Sequence, residues 1–186
     1  MNSKTQNSLG LKLNLLVLRC QVGDQQAFKE LCVQFNPVTR RFLKSLVKSD
    51  AASDLNQEVW ISVYQRIASL DDVSRFKYWL YQITRNKAMD YFRKSKKLDY
   101  FDELTHGTAL QLFTTYEDDK NLFYHKQIHK ARESLSPKLN EVVELYYFQG
   151  MDYEEIALIV GCSMGTVKSR IHNAKHKIKE WLNKNH

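Results

Sequence analysis

The apolar positions of this chain recur three and four residues apart along most of its length, and strand-type alternation is nearly absent. That spacing predicts an all-α protein. Residues 1–10 are polar and are expected to be disordered. A helix is predicted over Leu11–Val22, ended by Gly23. Asp24 caps the next helix, whose stripe is Ala27, Phe28, Leu31 and Phe35, and Asn36-Pro37 is expected to stop it. A further helix carries Val38, Phe42, Leu43, Leu46 and Val47, and residues 49–53 read as a turn. Over Asp54–Ile67 the residues Leu55, Val59, Val63 and Ile67 are spaced by fours and form a buried stripe. The opposite side holds Asp54, Gln57, Glu58, Ile61 and Gln65. Ile61 is thus an aliphatic residue on a polar, acidic face. A small docking surface has that look, although single exposed aliphatics also occur with no role. After a short loop at Asp71–Ser74, a long helix is predicted over Phe76–Lys94, with Trp79, Leu80 and Ile83 on its buried face.

The last quarter of the chain has two helices with their start and stop signals in place. Asp152 and Glu155 have capping-box spacing. The helix they open carries Ile156, Ala157, Ile159 and Val160 and stops at Gly161, the residue best able to leave a helix in the left-handed conformation. Ser163 caps a second helix running to about Trp181. On it, Val167, Ile171, Ala174 and Ile178 form an apolar stripe. At about 100° per residue the opposite side holds Gly165, Ser169, His172, Asn173 and His176. Lys168 and Lys179 flank that side on one edge, Arg170 and Lys177 on the other. Short polar side chains between cations suit a helix lying in the major groove of DNA, the middle residues reaching bases and the edges reaching phosphates. Ala157 is small where the two helices cross. The alternative is a solvated face on a helical hairpin; the capped, glycine-turned pair favours DNA binding.

Charge extends this picture. The formal net charge is +7 and the pI about 9.2, which favours a polyanionic partner. The end of the Phe76–Lys94 helix is basic, with Arg85, Lys87, Arg93 and Lys94 against Asp90, and Phe76, Tyr78, Tyr81, Tyr91 and Phe92 are interleaved. Two readings stay open: the aromatics stack on unpaired bases, or they fill a core while the cations solvate the helix end. Residues 98–119 carry six acidic residues and no lysine or arginine, and read as a linker. Beyond it Asn121–Leu135 resumes a helix. Ser136-Pro137 opens another, whose apolar side is Leu139, Val142, Val143, Tyr146 and Tyr147. The three cysteines are far apart and form no CxxC pair, so neither a zinc site nor a disulfide framework is expected. His172 and His176 are spaced i, i+4, but no third metal ligand is near in sequence. The apolar run Leu13–Leu18 is too short to span a membrane and makes a poor signal peptide. No nucleophile–base constellation is legible.

Taken together, these stretches resemble a group IV, or extracytoplasmic-function, sigma factor of bacterial RNA polymerase. The resemblance covers about Leu11 to Leu182. It rests on Gly23-Asp24 with Ala27-Phe28, on Asp54-Leu-Asn-Gln57-Glu58-Val-Trp, and on Trp79-Leu80 through Ile83, Asn86, Asp90 and Arg93. In the second half it rests on Leu135-Ser-Pro, Tyr153-Glu-Glu-Ile-Ala157 and Gly165-Thr-Val-Lys168-Ser-Arg170. The resemblance implies two small helical domains joined by an acidic linker, the C-terminal one a helix-turn-helix. A region-two-like domain spans residues 11–97, the linker 98–120 and a region-four-like domain 121–186. Asp54, Gln57, Glu58 and Ile61 would meet the beta-prime clamp helices of core polymerase. Asn86, Lys87, Arg93 and Lys94 would meet the −10 promoter DNA. Thr166, Lys168, Ser169, Arg170, His172, Asn173 and His176 would meet the −35 element.

The same resemblance implies the beta flap and an anti-sigma factor as further partners, a bacterial cytoplasmic location and no cofactor. Polymerase would supply the chemistry and its magnesium. The loop Leu70–Arg75 departs from the family pattern in being short and lacking an aromatic. Asn173 departs from it in standing where relatives often have arginine. A stand-alone helix-turn-helix regulator, binding duplex DNA without polymerase, is the rival reading. It would not need Asp54, Gln57 and Glu58 on one face.

Overall fold

The computed structural model describes residues 3–47, 51–94, 127–128, 130–132 and 134–185. Among these, every regular element is helical. In order they are α1 (Ser3–Gln21), α2 (Gln25–Leu46), α3 (Ala51–Arg66) and α4 (Phe76–Lys94), then α5 (Pro137–Val143), α6 (Tyr153–Val160) and α7 (Met164–Lys184). Short 3-10 turns at Ile67–Ser69 and Val73–Arg75 lie between α3 and α4, and a π-helical stretch, Glu144–Phe148, continues α5. The described residues fall into two compact units, one drawn from residues 1–43 and 49–88, the other from 44–48 and 89–186. The expected acidic linker lies outside the described residues, as does most of the helix expected over Asn121–Leu135.

Three sequence expectations in the first half need correction. Helix α1 begins at Ser3, not Leu11, so the stretch expected to be disordered is helical from its third residue. It contains no proline, and polar residues at its start do not oppose a helix that is already nucleated further along. Helix α2 runs without interruption through Pro37. The missing proline N–H would have met the Val33 carbonyl, and both Val33 and Pro37 are exposed, so water can serve that carbonyl instead. Helix α3 begins at Ala51, where a turn was expected, and Ser53 accepts a hydrogen bond from Arg40 Nη2 at 3.1 Å.

Buried polar contacts fix α2 against α3. Thr39 is fully buried, and its hydroxyl donates to Asn56 Oδ1 at 2.7 Å while Asn56 Nδ2 donates to Asn36 Oδ1. Leu31, Phe42, Leu43, Val59, Val63, Leu80 and Tyr81 lie in the surrounding core. Edge-to-face ring contacts join Phe42 to Tyr81 and Phe35 to Phe76, with centroids 5.1 and 5.4 Å apart. Gln21 ties α1 to the α3–α4 connection by donating to the Ile67 and Leu70 carbonyls at 3.0 and 2.7 Å. Gly23, at φ +86°, leaves α1, and Asp24 caps α2 by accepting from the Ala27 amide at 3.0 Å. Asp24 also pairs with Arg19 at 2.8 Å.

The C-terminal unit is arranged around a buried charge. Arg132 and Glu144, 6% and 0% exposed, form an ion pair at 2.9 Å. Arg132 Nε donates to Asn140 Oδ1, Gln149 Nε2 donates to the second Glu144 oxygen, and the guanidinium lies 4.4 Å from the centroid of the Phe148 ring. The π-helical turn alters the register after Val143, a use of such turns seen at functional positions. Val142 and Val143 are buried as expected, but Leu145 and Glu144 follow them inward, while Tyr146 is half-buried and Tyr147 exposed. The α-helical spacing expected to bury both tyrosines therefore fails at this turn. Leu135, Val143 and Ala174 form a core cluster against which Leu139 and Ile178 pack.

Removing one partner of a buried pair strands the other charge. Arg132→Met is expected to destabilise the protein by about 3–5 kcal/mol, measured as a lowered urea midpoint by circular dichroism. The Ala27 amide, followed by Arg19, holds the Asp24 carboxyl below its ordinary value. A depressed carboxylate stabilises the fold above its unfolded pKa, and the benefit is lost as pH falls through the folded value. Acid titration below pH 3.8 should therefore destabilise wild type more steeply than Asp24→Asn.

Candidate nucleic-acid and protein interfaces

The helix-turn-helix forms as its signals predict. Glu155 N donates to Asp152 Oδ1 at 2.8 Å, and Asp152 N donates back to Glu155 Oε2 at 3.1 Å, so the capping box is complete. Gly161 leaves α6 at φ 68°, ψ 44°, and its amide donates to the Ala157 carbonyl. A Cβ at this φ would be strained. Ser163 then accepts from the Thr166 amide at 3.2 Å and starts α7. These caps fix where α7 begins and so which residues face outward.

Val167, Ile171 and Ala174 are buried and Ile178 is half-buried; Gly165, Lys168, Ser169, His172, Asn173 and His176 are exposed. Arg170 and Thr166 are half-buried. The Thr166 hydroxyl lies 3.0 Å from Ser163 Oγ, and Ser169 Oγ donates to the Thr166 carbonyl at 2.9 Å. Thr166, one of the seven residues expected to meet DNA, is thus bonded to the cap Ser163 through both its amide and its hydroxyl.

The structure adds groups that periodicity did not reveal. A groove of about 610 Å³ runs along the reading side of α7, lined by Arg170, His172, Asn173, His176 and Lys177, and Lys138 of α5 lines it from the other side. His176 Nδ1 lies 3.6 Å from Glu180. On the opposite flank, Lys168 Nζ sits 5.8 Å from the centroid of the Tyr153 ring, and Lys175 Nζ sits 5.8 Å from that of Tyr147. A hydrogen bond with Tyr147 raises the Lys175 ammonium above its ordinary value, so the cation stays charged. Tyr146 and Tyr153 stack with centroids 5.1 Å apart. Tyr147 was expected on the apolar side of its helix, and helical period gave no sign that it and Tyr153, on other elements, face Lys175 and Lys168.

In the N-terminal unit, Asp54, Gln57, Glu58, Ile61 and Gln65 are all exposed, and Leu55, Val59, Val63 and Ile67 are all buried. Ile61 is 57% exposed, and Tyr64, one turn on, is 61% exposed. The Tyr64 ring packs edge-on against Phe28, so the apolar part of this face is larger than Ile61 alone.

Burial divides the aromatics of α4. Phe76, Tyr81 and Phe92 are buried and belong to cores, whereas Tyr78 and Tyr91 are half-buried. Asn86 is exposed; Lys87 pairs with Glu58 at 3.2 Å. Arg93 pairs with Asp90 at 2.6 Å, and Lys94 is exposed. The short loop before α4 is ordered by Asp72, whose carboxylate accepts from the Ser74 amide and hydroxyl at 2.9 and 2.6 Å. Among the described residues no helix is long and apolar enough to cross a membrane.

A helix-turn-helix in one unit and an exposed, polar-rimmed apolar face in the other define a helical DNA-binding protein. Comparison with known proteins identifies its family. A model described as Sigma-70 region 2 matches residues 33–98, and one described as Sigma-70, region 4 matches residues 125–178. The chain is 32% identical over 176 residues to the ECF RNA polymerase sigma-E factor of Escherichia coli (strain K12), covering 88% of this chain and 91% of that one. It is 31% identical over 172 residues to the ECF RNA polymerase sigma-E factor of Haemophilus influenzae, with the same coverage.

Among solved structures, the sigma factor RpoE in complex with the anti-sigma factor NepR from Bartonella quintana matches with a TM-score of 0.65 at 28% identity, covering 84% of this chain and 96% of that one. CnrH in complex with the cytosolic domain of CnrY shares the fold, with a TM-score of 0.62 at 20% identity over 94% and 99% of the two chains. The chain belongs to the ECF family of RNA polymerase sigma factors.

Lys168→Ala combined with Arg170→Ala is expected to weaken duplex DNA binding and to flatten its salt dependence by about two units of slope. Tyr153→Leu, which removes the ring facing Lys168 together with its stack on Tyr146, should have a smaller effect in the same titration.

Proposed function

We propose that this sigma factor directs core polymerase to promoters through three surfaces on two domains, residues 11–97 and 121–186, joined by the linker 98–120. Asp54, Gln57, Glu58 and Ile61 on α3 dock on the beta-prime clamp helices. Asn86, Lys87, Arg93 and Lys94 on α4 recognise the −10 element and hold its unpaired strand. Thr166, Lys168, Ser169, Arg170, His172, Asn173 and His176 on α7 read the −35 element in the major groove, with Ser163 setting the start of that helix. The C-terminal domain also meets the beta flap.

The observation that carries this reading is the α3 face. A regulator that binds duplex DNA alone has no use for three polar side chains and an aliphatic one exposed together on a helix outside its helix-turn-helix. A docking surface needs just such an apolar centre with a polar rim. The chemistry of the α7 groove supports the DNA assignment: Asn173 suits paired contact with adenine, and Arg170, Lys177 and Lys138 suit phosphates or guanine. Bond formation belongs to polymerase and its magnesium; this chain positions DNA. The complex of the sigma factor RpoE with the anti-sigma factor NepR supports an anti-sigma partner for this chain as well.

Permanganate footprinting of unpaired thymines tests the reading, with core polymerase and the promoter upstream of the protein's own gene. Opening is expected only when the chain is present, and Gln57→Ala plus Glu58→Ala should abolish it. Salt-sensitive duplex binding without any opening would instead identify a stand-alone regulator.

A further inference from the structure

The docking face of α3 and the basic side of α4 share one ion pair. Glu58 lies among the exposed polar residues of α3, and its Oε2 sits 3.2 Å from Lys87 Nζ on α4. The two side chains are unequally open, 54% for Glu58 and 29% for Lys87. An arriving cation therefore meets the carboxylate more readily than an arriving phosphate meets the ammonium. Asn86, beside Lys87 in sequence, is exposed.

We infer that Glu58 masks Lys87 in the free chain, and that polymerase engagement of the α3 face unmasks it for a phosphate of the −10 strand. The inference rests on the docking role of α3 and the strand-binding role of α4 proposed above. A carboxylate drawn to a cation in a partly dehydrated interface is bound more strongly there than by a solvated lysine across a surface gap. The freed lysine then acts as a point charge toward phosphate. Exposed pairs are weak, so the mask changes strand affinity about two- to fivefold. One added phosphate contact on a single strand steepens the salt dependence by about 0.7 of a slope unit. A device of this size does not switch binding on; it biases the chain toward promoter DNA once it is on polymerase.

The test uses the full chain and a fluorescent single-stranded oligonucleotide carrying the non-template −10 segment of the promoter that wild type opens with polymerase. Binding is followed by anisotropy across a salt series. In the free chain Glu58→Gln should tighten binding about two- to fivefold with a steeper slope. The gain should vanish in the Lys87→Gln background. Asp54→Asn, an equal change of charge on the same face, should give none. With core polymerase bound, Lys87→Gln should weaken strand binding, although it does little in the free chain.

The proposal is overturned if Glu58→Gln gives no gain, if the gain survives Lys87→Gln, if Asp54→Asn matches it, or if neither wild type nor Glu58→Gln binds detectably. It is equally overturned if Lys87→Gln has no effect on polymerase. Failure of wild type to open any promoter is a separate result, and it rejects the surface assignments themselves.

Discussion

The C-terminal unit is built around a charge that it cannot leave unpaired. Arg132 is buried, and an isolated guanidinium in such surroundings would cost several kcal/mol. Its partner Glu144 faces inward because the helix widens into a π turn there, and Asn140, Gln149 and Phe148 complete the enclosure. The same turn sends Tyr147 outward, where it meets Lys175, and leaves Tyr146 able to stack on Tyr153 at the head of α6. Tyr153 in turn faces Lys168. A polar contact in the core thus sets the aromatic surface along one edge of the reading helix.

The N-terminal unit solves a related problem with neutral groups. Continuing α2 through a proline gives up one backbone hydrogen bond, on the solvent side where water replaces it. The buried side keeps its polar groups paired through Thr39, Asn56 and Asn36. That pairing joins α2 to α3, while on the opposite side of α3 Glu58 pairs with Lys87 of α4. Leu55, Val59, Val63 and Ile67 take the core; Asp54, Gln57, Glu58 and Ile61 are exposed.

Several cations assigned to DNA have a partner within the chain. Lys87 has Glu58, Arg93 has Asp90, and Lys168 has the face of Tyr153. These contacts are weak at exposed positions. They limit the conformations a long side chain loses on binding phosphate, and they are weak enough to be exchanged for it. A basic protein of this kind gains selectivity when its charges are held in position and only partly satisfied.

Sequence alone determined the elements whose signals are local. The capping box at Asp152, the exit at Gly161, the cap at Ser163, the α4 boundaries and the two faces of α3 follow from residue type and period, because neighbouring turns of one helix decide them. Tertiary structure decided what depends on distant partners. Proline at position 37 argues for a break until burial on both sides of it is known. The π turn at Glu144 cannot be read from α-helical spacing, and Arg132, which Glu144 meets, lies on another segment. Phe76, Tyr81 and Phe92 look the same in sequence as Tyr78 and Tyr91, and only burial separates core ring from surface ring. The Glu58–Lys87 pair joins helices that periodicity treats one at a time. A period reports which face of a helix is apolar; it carries no information about what stands opposite that face.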